Sequence, residues 1–280
     1  MTTRFQRQDL RERFDFDASN DLVAGALGRA MRNHASLLRF VARYASWNGY
    51  FGSGVAALAA KIGRSRELFR DRDEPIVALS DRSVLVASFF FDAARDEFDD
   101  SDTEHRDTHR CLAQATLRGI LQYGRMTDTE KINAALADPT WLDGLQQRVA
   151  IGYGTHTPDT LPNIFRSIGY HLGSEVLADG EFSLIDEALD SGDPALVAYL
   201  RSTKIEVAGG EHLAYAWISK HSAHGCGANA ECFDQAVMGL RRAFQFCDLA
   251  WHEELKEQVF LGFGDFSRDH ALFFDRVNEP

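Results

Sequence analysis

Cysteine, proline and positive charge are scarce in this chain, and long apolar runs are missing. Four cysteines, Cys111, Cys226, Cys232 and Cys247, in a chain of this length without a secretory signal are expected to stay reduced rather than form a disulfide framework. Nowhere do about 18 apolar residues run together. The opening "MTTRFQRQDLRERFDF" is charged and lacks the apolar centre of a signal peptide. The sequence therefore predicts a cytoplasmic protein with no membrane partner. The 30 basic residues are outnumbered by 42 acidic ones, and the net charge of -12 repels phosphate backbones, which excludes a nucleic-acid partner. Phosphate-binding glycine loops, a G-x-S-x-G elbow and any motif around a cysteine are also missing, so NTPase, dinucleotide-binding and serine or cysteine nucleophile chemistry have no support.

What is present is apolar residues, 45% of the chain, recurring at steps of three and four, with only six prolines to interrupt them. That is the helical period and predicts an all-α protein. A long helix is expected over 21–47, with Ser19 or Asn20 as N-cap, broken by the turn-forming "WNGYFGSG". A short helix "VAALAAKIG" and a polar, Arg-rich connection through Pro75 follow. Further helices are expected near 82–99, 104–123, 139–149, 163–178, 181–190, 193–203, 211–222, 228–247 and 248–260. With no repeat and no linker, residues 1–280 read as one domain: a core over 80–260 on which a helical extension, 1–75, packs.

Ionisable residues on apolar stripes carry the chemical signal, because burying a carboxylate or imidazole is costly without a partner. In "VLVASFFFDAARDEF" the stripe Leu85, Phe89, Ala93 runs onto Asp96 and Glu97. In "TEHRDTHRCLAQATLRGI" His105, His109, Leu112 and Thr116 stack one above another. In "IFRSIGYHLGSEVLADGEF" Ile164, Ile168, His171 or Leu172, and Glu175 share a face, and Gly169 and Gly173 allow a close helix approach. In "LAYAWISKHSAHGCGANAEC", if it stays helical, Trp217, His221, His224, Ala228 and Glu231 form one stripe. A lone histidine such as His171, His212 or His252 is more often a hydrogen-bonded core residue than a ligand, and an acid-rich helix end is usually a solvated face. Repetition on four helices shifts the balance. A structural zinc at His221, His224, Cys226 and Cys232 is disfavoured, since all four ligands would have to converge from one short segment.

These segments resemble the three metal-bearing core helices of the heme-oxygenase-like diiron oxidases and oxygenases, an all-helical family related to the thiaminase-like and PQQ-synthesis-like folds. The resemblance covers roughly residues 80–250. It implies a heme-oxygenase-like helical bundle in which Glu97, His109 (or His105 on the same stripe), Glu175 and His221 are metal ligands, with Glu97 or Glu175 bridging two ferrous ions. The family's late-helix pattern H-x-x-x-D-x-x-H is not met, since Gly225 and Ala228 stand where the aspartate and second histidine would be. His224 and Glu231 are the substitutes on the same stripe. Mixed carboxylate and imidazole ligation with open positions suits iron and dioxygen. Asp92, Asp96 or Asp179 would orient the imidazoles.

What the resemblance implies is an enzyme using two Fe2+ per chain and O2 to oxidise a small substrate, with an amino acid preferred, by N-oxygenation, desaturation or cyclisation, or C–C cleavage in a biosynthetic pathway. Arg95, Arg110, Arg166 and Lys220 are the candidates to hold a substrate carboxylate. The competing readings are a metal-free thiaminase-like enzyme or binding protein, and an interaction protein whose polar stripes lie at an oligomer interface. Twenty phenylalanines supply apolar surface for a homodimer.

Overall fold

The computed structural model describes residues 5–98, 108–223 and 228–279, with the backbone alone described at 179, 223 and 228–232. Helix accounts for 76% of the structure, and the architecture is an all-α bundle. In chain order the helices are α1 (Arg7–Arg11), α2 (Phe16–Ala30), α3 (His34–Asn48), α4 (Phe51–Arg64), α5 (Ser83–Phe98), α6 (His109–Tyr123), α7 (Thr129–Leu136), α8 (Thr140–Gly152), α9 (Leu161–Gly192), α10 (Pro194–Ser202), α11 (Ala216–Ala223), α12 (Ala228–Gln245) and α13 (His252–Arg276). A small antiparallel hairpin, β1 (Lys204–Val207) and β2 (Gly210–Leu213), lies between α10 and α11.

The bundle is organised around α9, whose 32 residues are flanked along their length by α13 and by α2, α4, α8, α10, α11 and α12. Ile164, Phe165, Ile168 and Leu172 of α9 are fully buried, as the predicted stripe requires. Where α9 and α13 cross, the backbones touch: a Cβ at Gly169 would overlap the Val259 carbonyl, and one at Gly262 the Arg166 carbonyl. Trp47 stacks on Phe273 at 4.3 Å between ring centroids, and Tyr44, Phe182 and Trp217 continue this aromatic layer toward the middle of α9. Glu181 is buried within the layer, where a lone carboxylate would be costly. It accepts the Tyr44 hydroxyl and lies 3.0 Å from His270 Nε2.

Several element boundaries differ from expectation for local reasons. The helix expected over 21–47 is two, because Asn33 turns the chain and caps α3 by accepting the Ser36 N–H at 2.9 Å; α2 is capped by Asp15 rather than by Ser19 or Asn20. The helices expected at 163–178 and 181–190 are one, since α9 runs through Gly180. The segment 211–222 begins as a strand: Ile205 and Val207 point inward on β1, and Ala208 and Gly209 take positive φ of 52° and 84°, a two-residue turn that closes a hairpin. Residues before 75 contribute to the interior, where α3 and α4 wall a cavity.

Asp193 joins α9 to α10. It caps α10 through the Leu196 N–H at 3.0 Å and also meets His34 Nε2 at 3.1 Å and the Tyr123 hydroxyl at 3.3 Å. Burial pushes its carboxyl up, but these donors outweigh burial and hold it below the usual range. Asp193→Ala is expected to cost about 1–2 kcal/mol in urea unfolding at neutral pH. Because the folded pKa is depressed, that contribution is full above the unfolded value of about 3.9 and is lost as pH falls through the folded value. The gap between wild type and variant should therefore close in acid.

Candidate active site

A cavity of about 610 Å³ opens between α3, α4, α5, α6, α9 and α11. Glu97 comes to it at the end of α5, His109 from the first turn of α6, Glu175 from the middle of α9 and His221 from α11, and all four line it. The apolar ridge that delivers Glu97 is Val86, Phe90 and Ala94, all buried, rather than Leu85, Phe89 and Ala93, of which Leu85 is 45% exposed. On α6 and α9 the ridges are those expected, with Leu112, Thr116, Ile164 and Ile168 inside.

His109 Nδ1 donates to Glu97 Oε2 at 2.8 Å. His221 Nδ1 donates to the Trp217 carbonyl at 2.6 Å. Both imidazoles are thus fixed in the tautomer that leaves Nε2 with its lone pair, the usual arrangement when a histidine serves as a ligand or base. Their rings meet edge to face at 4.4 Å, and Phe182 stacks on His221 at 4.3 Å. His171, one turn before Glu175, lies 3.5 Å from it through Nδ1 and is fully buried.

The electrostatics follow from these neighbours. Burial pushes the Glu97 carboxyl up, but His109, His221 and His171 outweigh it and hold the group below its ordinary value. Burial pushes His109 down, but Glu97 and Asp96 raise it above the ordinary imidazole value. His171 is pushed down to about 4 by burial, against a smaller opposing pull from Glu97, so at neutral pH it is uncharged. Lys220 is lowered by burial at the cavity wall.

The start of α4 supplies a panel without side chains. A Cβ at Gly52 would lie 2.8 Å from the Glu97 Cβ. At Gly54 it would fall into the Tyr153 ring. The glycines of "WNGYFGSG", which the sequence marks only as a turn, let Glu97 and Tyr153 lie against helical backbone.

Of the four cations considered for a substrate, Arg110 and Lys220 line the cavity. Arg110 is held by a 2.7 Å bond from Nη1 to the Ala45 carbonyl. Arg95 does not line it and stands exposed on the outer face of α5. Arg166 lies in a separate groove, bonded through Nε to Asp265 at 2.7 Å. Asp96 lines the cavity, whereas Asp92 is exposed. His105, His224, Cys226, and the side chains of Asp179, Glu231 and Cys232 lie outside the described residues. Sequence reasoning missed Tyr153, whose hydroxyl pairs with Ser174 Oγ at 2.9 Å, and the aromatic residues Tyr50, Phe51, Phe98 and Phe182, which form an aromatic wall with Trp217 of the predicted stripe. Apolar and aromatic side chains carry no chemical signal in the sequence, and only the fold shows that these face one space.

Among the described residues, no three His, Cys, Asp or Glu side chains converge closely enough to hold a metal ion. The donor set nevertheless suits one in kind, since two imidazoles and two carboxylates line one cavity. No protein-family model, no curated protein and no solved structure matches this chain. Among the described residues no helix is long and apolar enough to cross a membrane.

Proposed function

We propose that this protein is a non-heme diiron, dioxygen-dependent oxidase or oxygenase of the heme-oxygenase-like helical class, acting on a small substrate for which an amino acid is the preferred candidate. The observation that carries the reading is that Glu97, His109, Glu175 and His221, singled out by their places on four separate ridges, line one cavity. These four would hold the iron, with His224 and Glu231 as the remaining candidate ligands. Iron bound there would supply dioxygen activation.

The chain's own groups do the rest. The Trp217 carbonyl and Glu97 fix the two imidazole tautomers. Arg110 and Lys220 at the cavity wall would take a substrate carboxylate by charge-assisted hydrogen bonds. The aromatic wall would accept an apolar or aromatic side chain and keep water away from it. The experiment is oxygen consumption by the ferrous-loaded protein against a panel of amino acids. Stimulation by one chemical class supports the reading, and an unchanged rate with every member counts against an amino-acid substrate.

A second reading has its own observation. The Glu97–His109 pair, joined at 2.8 Å, is a ready acid–base dyad, which favours a metal-free enzyme or binding protein of thiaminase-like fold. It requires no iron uptake.

A further inference from the structure

The outer face of α5 is apolar where a solvated helix would be polar. Val84, Phe91 and Phe98 are 69%, 49% and 48% exposed, and Leu85 is 45% exposed. In the turn that leads into the helix, Val77 and Leu79 are 65% and 69% exposed. Together these six side chains leave several hundred Å² of apolar surface uncovered, toward the upper end of what a monomer shows.

The face is ordered along the helix. Val84, Phe91 and Phe98 stand seven apart, Ser88 and Arg95 seven apart between them, and Leu85 and Asp92 seven apart on the flank. A seven-residue spacing keeps Val84, Phe91 and Phe98 on one stripe, which can lie along a partner helix crossing at a shallow angle. Ser88, Asp92 and Arg95 are exposed. Neither Asp92 nor Arg95 forms an ion pair among the described residues.

We propose that this face is a homodimer interface in which α5 packs on α5 of a second copy. The argument for a second copy is the charge pattern. In a two-fold interface residue i meets j and j meets i, so an acid and a base three positions apart in an apolar seam complement themselves, Asp92 of each protomer facing Arg95 of the other. With these polar groups included, the face approaches the roughly 800 Å² per partner of a standard interface. An anionic membrane is a poorer match for a chain of net charge -12.

The pairing has a consequence for the cavity. Phe98 belongs both to this face and to the cavity wall, with Asp96 and Glu97 beside it. A partner helix on α5 therefore lies beside the cavity mouth and narrows its access to solvent. This inference concerns the helix face alone and stands whether or not the cavity binds iron.

The test is sedimentation equilibrium of the full-length protein over about a hundredfold concentration range, because a dimer's population follows mass action. Wild type is expected to be dimeric. Phe91→Asp should shift it to monomer with an unchanged far-UV circular dichroism spectrum, since the residue is exposed. Asp92→Arg and Arg95→Asp should each raise the dissociation constant by about tenfold or more, and the double variant should recover the dimer. A monomeric wild type, a dimer indifferent to Phe91→Asp, or a double swap that recovers nothing would overturn the proposal.

Discussion

Gly262→Ala should lower the melting temperature by roughly 10 °C, from a loss of about 3 kcal/mol or more. The methyl group would overlap the Arg166 carbonyl oxygen and sit 2.7 Å from its carbon and 2.9 Å from the Tyr170 nitrogen. All of these are backbone atoms in the first third of α9, so no side chain can swing aside, and the two long helices must part. Gly169→Ala strikes the same crossing from the other side at Val259. Both variants are relieved by one separation of α9 from α13, so the double variant should cost less than the sum of the singles. Thermal and urea unfolding of the three variants measure this. Because α9 also carries His171 and Glu175, any folded fraction should show a weakened site. A change below about 0.5 kcal/mol, the level of an ordinary surface substitution, would mean that the helices do not touch there.

The second large effect belongs to Glu97. Glu97→Ala is expected to leave the bundle folded, because the side chain is about a third exposed at the end of α5 and its removal opens no sealed void. Ferrous affinity should nonetheless fall by at least ~100-fold, more than the 10–100-fold typical of losing a group that merely supports a ligand. In the metal-free protein the imidazole of His109 should also titrate at lower pH, since burial then stands against the weaker pull of Asp96 alone. Glu97→Gln keeps the shape without the charge and should give the same two results. Iron analysis and NMR titration of the histidine ring carbons read them independently. Glu175→Ala should lose iron similarly. Full iron occupancy in both alanine variants would remove these carboxylates from the ligand set.

Much of the fold was legible because helical periodicity is a strong signal in stretches as apolar as those of α6 and α9. What was not legible depended on single residues whose effect is set by context. Asn33 ends one helix and starts another, Gly180 fails to end one, and "KIEVAGGEHL" is too short for its alternation to stand out beside longer helical stretches. On α6, α9 and α11 the polar residue that begins or ends a buried ridge, His109, Glu175 and His221, does line the cavity. On α5 the ridge was misplaced by one residue, which still led to Glu97, because the helix end brings both Asp96 and Glu97 to the cavity. Arg95 and Arg166 show the limit of charge alone: neither residue's position in the sequence says that one faces solvent and the other a separate groove.

Anaerobic titration of the metal-free protein with ferrous iron tests the proposed site most directly, carried out on wild type and on Glu97→Ala, with bound metal counted after gel filtration. About two irons per chain in wild type and none in the variant are expected for a site of this donor set. Wild-type protein that takes up no iron, while Glu97 and His109 titrate as a coupled pair, would contradict the diiron reading and leave the acid–base dyad as the chemistry of the cavity.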